Sequence, residues 1–110
     1  MKNYSTYIGK QYLPPNGCLN LVIDILRNEY NRPLELNDAD RAMEIFRTRL
    51  SPTIKPQEGD LILLKGNQWH VGLVVGNGQM IHTSLEGEVG IEHYDGMMWR
   101  NRIKGFYKWQ

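Results

Sequence analysis

The chain contains one cysteine and three histidines, and the cysteine stands where a helix is predicted to begin. Cys18 follows two prolines, an asparagine and a glycine, and it opens an apolar segment with helical spacing. A thiol in the first turn of a helix meets the positive end of the helix dipole and unpaired backbone N–H groups, and both favour the thiolate. A thiolate nucleophile needs a base, usually a histidine held by a third polar group. His70 and His82 could supply both, with the same backbone N–H groups stabilising an oxyanion.

The same residues also have plainer interpretations, which residue types alone leave open. A single cysteine cannot form an intramolecular disulfide, and free cysteine is among the most buried residue types. The two histidines could be core residues with satisfied hydrogen bonds. A zinc site of His70, His82 and His93 is a third alternative, although the chain has neither an HExxH motif nor clustered cysteine and histidine ligands.

The segment HVGLVVGNGQMIH, which His70 and His82 bracket, decides whether the two histidines can cooperate. Alternation along a strand pair means that a two-residue turn at 77–78 would put them on opposite faces. A three-residue loop at 76–78 would put His82 opposite Gly72, on the face of His70 and about 7–8 Å from it at the backbone. Such loops commonly end in a left-handed residue, and the last residue here is glycine. The catalytic hypothesis therefore requires the three-residue loop.

The first half of the chain predicts two helices. The first runs from Cys18 to the sequence NRP at 31–33, with a broad apolar face. The second begins at LNDAD with Asn37 or Asp38 as its N-cap, and its apolar stripe ends at Leu50. The following segment, SPTIKPQEG, is predicted to be an extended connection because it carries two prolines and a glycine.

The second half predicts strands separated by glycine-rich turns. Helices followed by a meander of short strands indicate an α+β domain with a five-stranded antiparallel sheet. No repeat or linker divides the chain, so residues 1–110 are predicted to be one domain. The five predicted strands are 60–65, 69–75, 79–84, 88–94 and 102–109.

Composition narrows the function classes. The formal net charge is +1 and 23% of the residues are charged, so the chain lacks the basic excess of a nucleic-acid-binding protein. The opening MKNYSTYIGK has no apolar signal-peptide core, and no apolar run reaches membrane-spanning length. We therefore expect a protein made in the cytoplasm, with no membrane insertion and no nucleic-acid partner. The three tryptophans are interpreted as core or interface residues rather than sugar-stacking platforms.

The longest recognisable pattern is GDLILLKGNQWHVGLVVGNGQMIH. It resembles the NlpC-like cell-wall cysteine peptidases, a papain-like branch whose pattern is Gly-Asp-Leu, a hairpin, His-Val-Gly, a Gly-Asn-Gly-type turn and Ile-His. Cys18 matches the family's nucleophile, His70 its general base, and His82 the residue that orients the base. GKQY at 9–12 looks like the family's Gly-x-x-Tyr, whose hydroxyl lies near the oxyanion; this would be Tyr12, with Tyr7 as the alternative. The end, MMWRNRIKGFYKW, is similar to the close of the phage-tail branch.

The resemblance implies a papain-like fold in which N-terminal helices pack on the sheet, and a thiol hydrolase of peptidoglycan stem peptides. The expected target is the γ-D-glutamyl to diamino-acid bond, and neither a metal nor an organic cofactor is implied. Two departures concern the surroundings of Cys18: Leu19 and Asn20 follow it instead of Ser-Gly or Trp-Gly, and LPPNG replaces a longer Trp-Gly-Gly loop.

Two rival functions follow from these departures. One is a phage-tail assembly component with weak or lost activity, whose partners are other tail proteins. The other is a related thiol amidase or acyltransferase with a substrate outside the wall. The leading hypothesis requires the protein to reach the cell wall as part of a virion tail or by an export route without a signal peptide. It also predicts that iodoacetamide alkylates Cys18 below pH 7.

Overall fold

The computed structural model describes residues 2–32, 44 and 48–109. The second predicted helix, with its N-cap at Asn37 or Asp38, falls mostly outside these residues. Its last predicted apolar residue, Leu50, begins strand β1 (Leu50–Thr53) instead of ending a helix. The connection predicted over SPTIKPQEG is therefore corrected at its start, where Ser51–Thr53 belong to the sheet.

The predicted first helix is confirmed as α1 (Gly17–Tyr30). Its broad apolar face is buried, and five of its side chains are at most 1% exposed. Asn31 ends the helix in the left-handed conformation, with φ 52°, and its N–H donates to the Leu26 carbonyl. Asparagine is the usual alternative to glycine at this position, because its short polar side chain tolerates a positive φ. The five buried side chains are Leu19, Leu21, Val22, Ile25 and Leu26.

The strands form one antiparallel sheet of six strands in the order β1-β6-β2-β3-β4-β5. The prediction of five strands was wrong because β1 contains Pro52, and proline argues against a strand unless the strand lies at an edge. β1 is such an edge strand, and it pairs only with β6 among the described residues. The remaining strands are β2 (Leu61–Lys65), β3 (Trp69–Gly76), β4 (Gln79–Thr83), β5 (Val89–His93) and β6 (Ile103–Trp109).

The sheet is buried on both faces, and the two faces have different partners. The first face packs against α1 through Leu61, Leu63, Val71, Leu73, Ile81 and Val89. The second face contains Ile62, Leu64, Val74 and Met80, and these residues lie under Tyr94, Trp99, Ile103 and Phe106. This explains why Leu61–Leu64 are all buried and show no alternation between apolar and polar residues.

Candidate active site

The hairpin that carries the two histidines combines a two-residue turn with a bulge. Asn77 and Gly78 have φ values of 55° and 73°, and Gly76 pairs with Gln79 across this turn. Two positive φ values are typical of the tight turn that matches strand twist. The register then shifts between Val74 and Gly76, so Val74 pairs with Met80 and Leu73 with Ile81. The extra residue is thus placed in a β-bulge rather than in the loop.

This register puts His82 opposite Gly72, on the same face as His70, in spite of the shorter turn. The predicted three-residue loop was therefore wrong, but the shared face that it was meant to produce is present. Position 72 leaves little room for a side chain, which glycine lacks. A Cβ there would lie 3.2 Å from both Ile62 Cγ2 and Met80 Sδ and 3.3 Å from the Ile81 carbonyl oxygen.

The two histidines are hydrogen-bonded to each other and to a carboxylate. His70 Nε2 lies 2.9 Å from His82 Nδ1, and the two rings meet edge to face. On its other side, His82 Nε2 lies 2.5 Å from Glu92 Oε2. Glu92 pairs with Met80 across β4 and β5, which gives it the same face of the sheet. The result is a continuous chain of polar contacts from Glu92 through His82 to His70.

Trp99 covers this polar chain. Its ring stacks on His70 with centroids 5.5 Å apart and planes 16° apart, and it meets the edge of His82 at 5.0 Å. The indole N–H also donates to Glu92 Oε2 at 3.2 Å. His82 is consequently only 2% exposed, whereas the Glu92 side chain remains 49% exposed.

Burial keeps both histidines neutral. It lowers the pKa of His70 to about 4, and the neighbouring His82 lowers it further as a smaller cause. Burial also lowers the pKa of His82, although its hydrogen bond to Glu92 acts in the opposite direction. A neutral imidazole holds one N–H and one lone pair, so at neutral pH each ring can donate one proton and accept another.

Cys18 lies in the first turn of α1, as predicted, and is 7% exposed. The backbone N–H groups of Val71, Leu19 and Cys18 itself lie near its sulfur, and each of them favours the thiolate. Burial nevertheless raises the pKa of the thiol, and the three N–H groups offset this only in part. The predicted influence of the helix start is present, because its N–H groups favour the thiolate, but desolvation disfavours the charged form by more.

The thiol reaches the sheet where β3 and β4 separate. The Val74 N–H donates to the Asp60 carbonyl on the β2 side, so the Val71 N–H, three residues earlier, points towards β4. The pairing of β3 with β4 extends only to Leu73 and Ile81, which leaves the Val71 N–H without a partner on β4. That N–H instead acts on the Cys18 sulfur, where it favours the thiolate.

The histidine pair and Cys18 therefore approach this opening from opposite faces of the sheet. The Val71 side chain packs in the cluster that contains α1, while His70, the residue before it, stacks on Trp99. Within residues 2–32 and 48–109, no hydrogen bond joins the thiol to either histidine. That the histidines pack against the N-terminus of the helix stays a prediction: strand alternation gives α1 the apolar residues Val71 and Leu73, while the N–H of Val71, next to His70, acts on the Cys18 sulfur.

A family comparison accounts for this combination of residues. The family model described as NlpC/P60 matches residues 8–108. The chain belongs to the NlpC/P60 family. Members of this family are typically cysteine peptidases or amidases of the cell wall, and the α+β architecture agrees with the papain-like fold expected of them. None of the curated proteins matches this chain.

The tyrosine hydroxyls of this NlpC/P60 domain lie away from Cys18. The Tyr12 hydroxyl donates to Asp24 at 2.8 Å. Asp24 follows Cys18 by six residues on α1, or about 9 Å along the helix axis. The Tyr7 hydroxyl contacts Asn28 and Glu29, farther along the same helix.

The backbone of Tyr12 is closer to the helix start than its hydroxyl. A Cβ at position 17 would lie 1.9 Å from the Tyr12 carbonyl oxygen, so only glycine fits directly before Cys18. Tyr12 therefore contributes to the position of the helix start through its main chain, while its hydroxyl holds Asp24.

The third histidine does not join the pair. His93 is exposed and pairs with Gln79 at the far end of β5. Among the described residues, no group of three or more His, Cys, Asp or Glu side chains is arranged to hold a metal ion. No helix in the described part of the chain has the length and apolar character needed to span a membrane.

Sequence reasoning missed Glu92 and Trp99 at this site. The alternation of EVGIEHY gives Gly90 and Glu92 one face, and the pairing of His82 with Gly90 makes that face the histidine face. This signal becomes usable only after the register of β4 and β5 is known. Trp99 lies outside any strand, between β5 and β6, so periodicity carries no information about it.

Proposed function

We propose that this NlpC/P60 domain is a thiol hydrolase that cleaves the γ-D-glutamyl to diamino-acid amide bond of peptidoglycan stem peptides. One observation carries the assignment of the site: the backbone N–H of Val71, the residue that directly follows His70, acts on the Cys18 sulfur and favours its thiolate. This brings a helix-start thiol to the opening in the sheet beside which a hydrogen-bonded histidine pair lies. Family membership supplies the substrate class.

The proposed reaction begins with neutral groups. Cys18 Sγ attacks the amide carbon while His70 takes the thiol proton, and the carbonyl oxygen becomes an oxyanion. The backbone N–H groups of Cys18 and Leu19, in the first turn of α1, would donate to that oxyanion. His70 then gives its proton to the leaving amine, which produces a thioester, and water activated by the same histidine releases the acid.

The raised pKa of the Cys18 thiol and the lowered pKa of the His70 imidazole both support general-base attack that starts from two neutral groups. An ion pair of thiolate and imidazolium would need each group to ionise against the effect of its burial. The proposal also requires His70 Nδ1 to come within hydrogen-bonding distance of the thiol when substrate binds, with Nε2 still on His82, because no hydrogen bond joins His70 to Cys18 within the described residues. His82 would hold the ring in that orientation.

A second candidate function is a phage-tail assembly component with weak or lost activity. The lack of a hydrogen bond between Cys18 and His70 among the described residues favours it, since an unpaired neutral thiol is a poor nucleophile. A thiol amidase or acyltransferase with another substrate would use the same groups. Action on peptidoglycan further requires that the protein reach the wall, either in a virion tail or by export.

Purified muropeptides distinguish these functions. We expect the wild-type protein to release the diamino-acid fragment, detected by mass spectrometry, and Cys18→Ala and His70→Ala to lose at least about 10³-fold in rate. His93→Ala is the matched control, because it removes an exposed histidine outside the site and should cleave like the wild type. Failure of the wild type to cleave any muropeptide would contradict the proposed function and favour the assembly role.

A further inference from the structure

Glu92 is the only carboxylate that contacts the histidine pair among the described residues. One of its oxygens, Oε2, lies 2.5 Å from His82 Nε2 and accepts a hydrogen bond from the Trp99 indole N–H. Trp99 in turn contacts both imidazole rings. Glu92 therefore lies at the outer end of the polar chain, with its orientation held by the residue that covers the chain.

We propose that Glu92, held by Trp99, is a positioning residue that sets the proton positions of both histidines and leaves the lone pair of His70 on Nδ1. A carboxylate has no proton to offer, so His82 Nε2 must carry the N–H that points at it. His82 Nδ1 then has the lone pair, and it accepts the N–H of His70 Nε2 across the 2.9 Å contact. His70 Nδ1, which has no hydrogen-bond partner among the described residues, then holds the lone pair that can act as a base.

The opposite arrangement is disfavoured by electrostatics. If His82 carried its proton on Nδ1, the Nε2 lone pair would face the Glu92 oxygen at 2.5 Å, with two acceptors and no proton between them. His70 would also have to present a lone pair to His82 and would lose its free basic Nδ1. The Glu92 side chain is 49% exposed, so solvent weakens its field. The Trp99 N–H compensates by fixing the carboxylate oxygen that His82 uses.

The use of His70 Nδ1 as the base rests on the proposed function, whereas the proton positions do not. Ring ¹⁵N NMR of histidine-labelled protein reads them directly, and the chain has only three histidines, with exposed His93 as an internal reference. In the wild type we expect the Nε2–H form for both His70 and His82. In Glu92→Ala we expect His82 to change to a mixture of the two neutral forms, and its pKa to fall because the opposing effect of Glu92 is lost.

Three further variants separate positioning from general damage. Glu92→Gln should retain most of the Nε2–H form, because its amide oxygen still accepts a hydrogen bond. Trp99→Phe keeps an aromatic cover but removes the indole N–H, so it should show a smaller change than Glu92→Ala. Glu86→Ala is the matched control, since Glu86 is exposed in the turn between β4 and β5 and should leave the histidine spectra unchanged.

Kinetics provide the second readout. We expect Glu92→Ala to lower kcat on muropeptides by about 10- to 100-fold, as is typical when a partner that orients a functional histidine is removed, with KM nearly unchanged. Unchanged histidine proton positions in Glu92→Ala would overturn the inference, whatever the activity. If the wild type cleaves no muropeptide but the spectra change as expected, the proposed function fails while the positioning role of Glu92 stands.

Discussion

The two faces of the sheet place their ionisable groups in different chemical surroundings. On the α1 face, Cys18 lies among aliphatic side chains, and its polar partners are backbone N–H groups. On the other face, His70 and His82 are bonded to each other, to Glu92 and to the face of an indole ring. Burial is nevertheless the largest influence on both sides, and it favours the neutral thiol and the neutral imidazoles alike.

This comparison shows that hydrogen bonding alone does not predict the charge of a buried group. Three N–H donors do not bring the pKa of the thiol below its usual range, and a carboxylate does not bring the pKa of His82 up to its usual value. The energetic cost of desolvation exceeds both contributions. The thiol and both imidazoles are therefore neutral at pH 7.

The largest expected effect concerns acid stability on the histidine face. The pKa of His70 is lower in the folded protein, about 4, than the ordinary value of 6.5, so the unfolded chain binds the proton first. The contribution to stability is complete above pH 6.5 and is lost as the pH falls towards 4. We expect the free energy of unfolding, measured with urea, to fall by up to about 3 kcal/mol more in the wild type than in His70→Ala.

Carboxylates titrate in the same range, so the difference between variants is the informative quantity. His93→Ala serves as the control and should lose stability on acidification like the wild type, because His93 is exposed. An equal loss in the wild type and His70→Ala would mean that the histidine face is not desolvated as described.

The next effect concerns the fit of the histidine face around Gly72. Gly72→Ala would press its Cβ against Ile62, Met80 and the Ile81 carbonyl at 3.2–3.3 Å. Gly90→Ala is the matched control on the same face, since a Cβ there meets nothing within 4 Å. We expect Gly72→Ala to be less stable than Gly90→Ala by about 1–3 kcal/mol in urea unfolding. Equal stabilities would show that the space opposite His82 is not tightly filled.

The smallest effect tests the α1 face. Because the pKa of Cys18 is raised, its thiolate fraction at pH 7 is lower than that of a free cysteine, by about tenfold for each pKa unit. We expect iodoacetamide to alkylate Cys18 in the folded protein at least about tenfold more slowly than in the same chain unfolded in urea. Rapid alkylation of the folded protein below pH 7 would restore the thiolate expected from the helix start alone.

Much of the fold was predictable because local patterns determine local elements. Helical spacing predicted α1, and alternation around Asn77-Gly78 predicted the β3–β4 hairpin. The loop length was not predictable, because Gly76-Asn77-Gly78 suits either a three-residue loop or a two-residue turn followed by a bulge. Strand β1 was missed because Pro52 is a breaker in a central strand but is tolerated at an edge, and edge position is a tertiary property.

The sequence by itself determined which residues could perform chemistry: a cysteine at the start of a helix, and two histidines at an even spacing that the hairpin register turns to one face. Only the tertiary structure decided what covers each face. Packing places α1 over Val71 and Leu73, and it brings Glu92 and Trp99, from β5 and the segment after it, to the histidines. The physical reason is that spacing along a chain fixes which side chains share a face, whereas burial, and with it each group's charge, depends on partners that are distant in sequence.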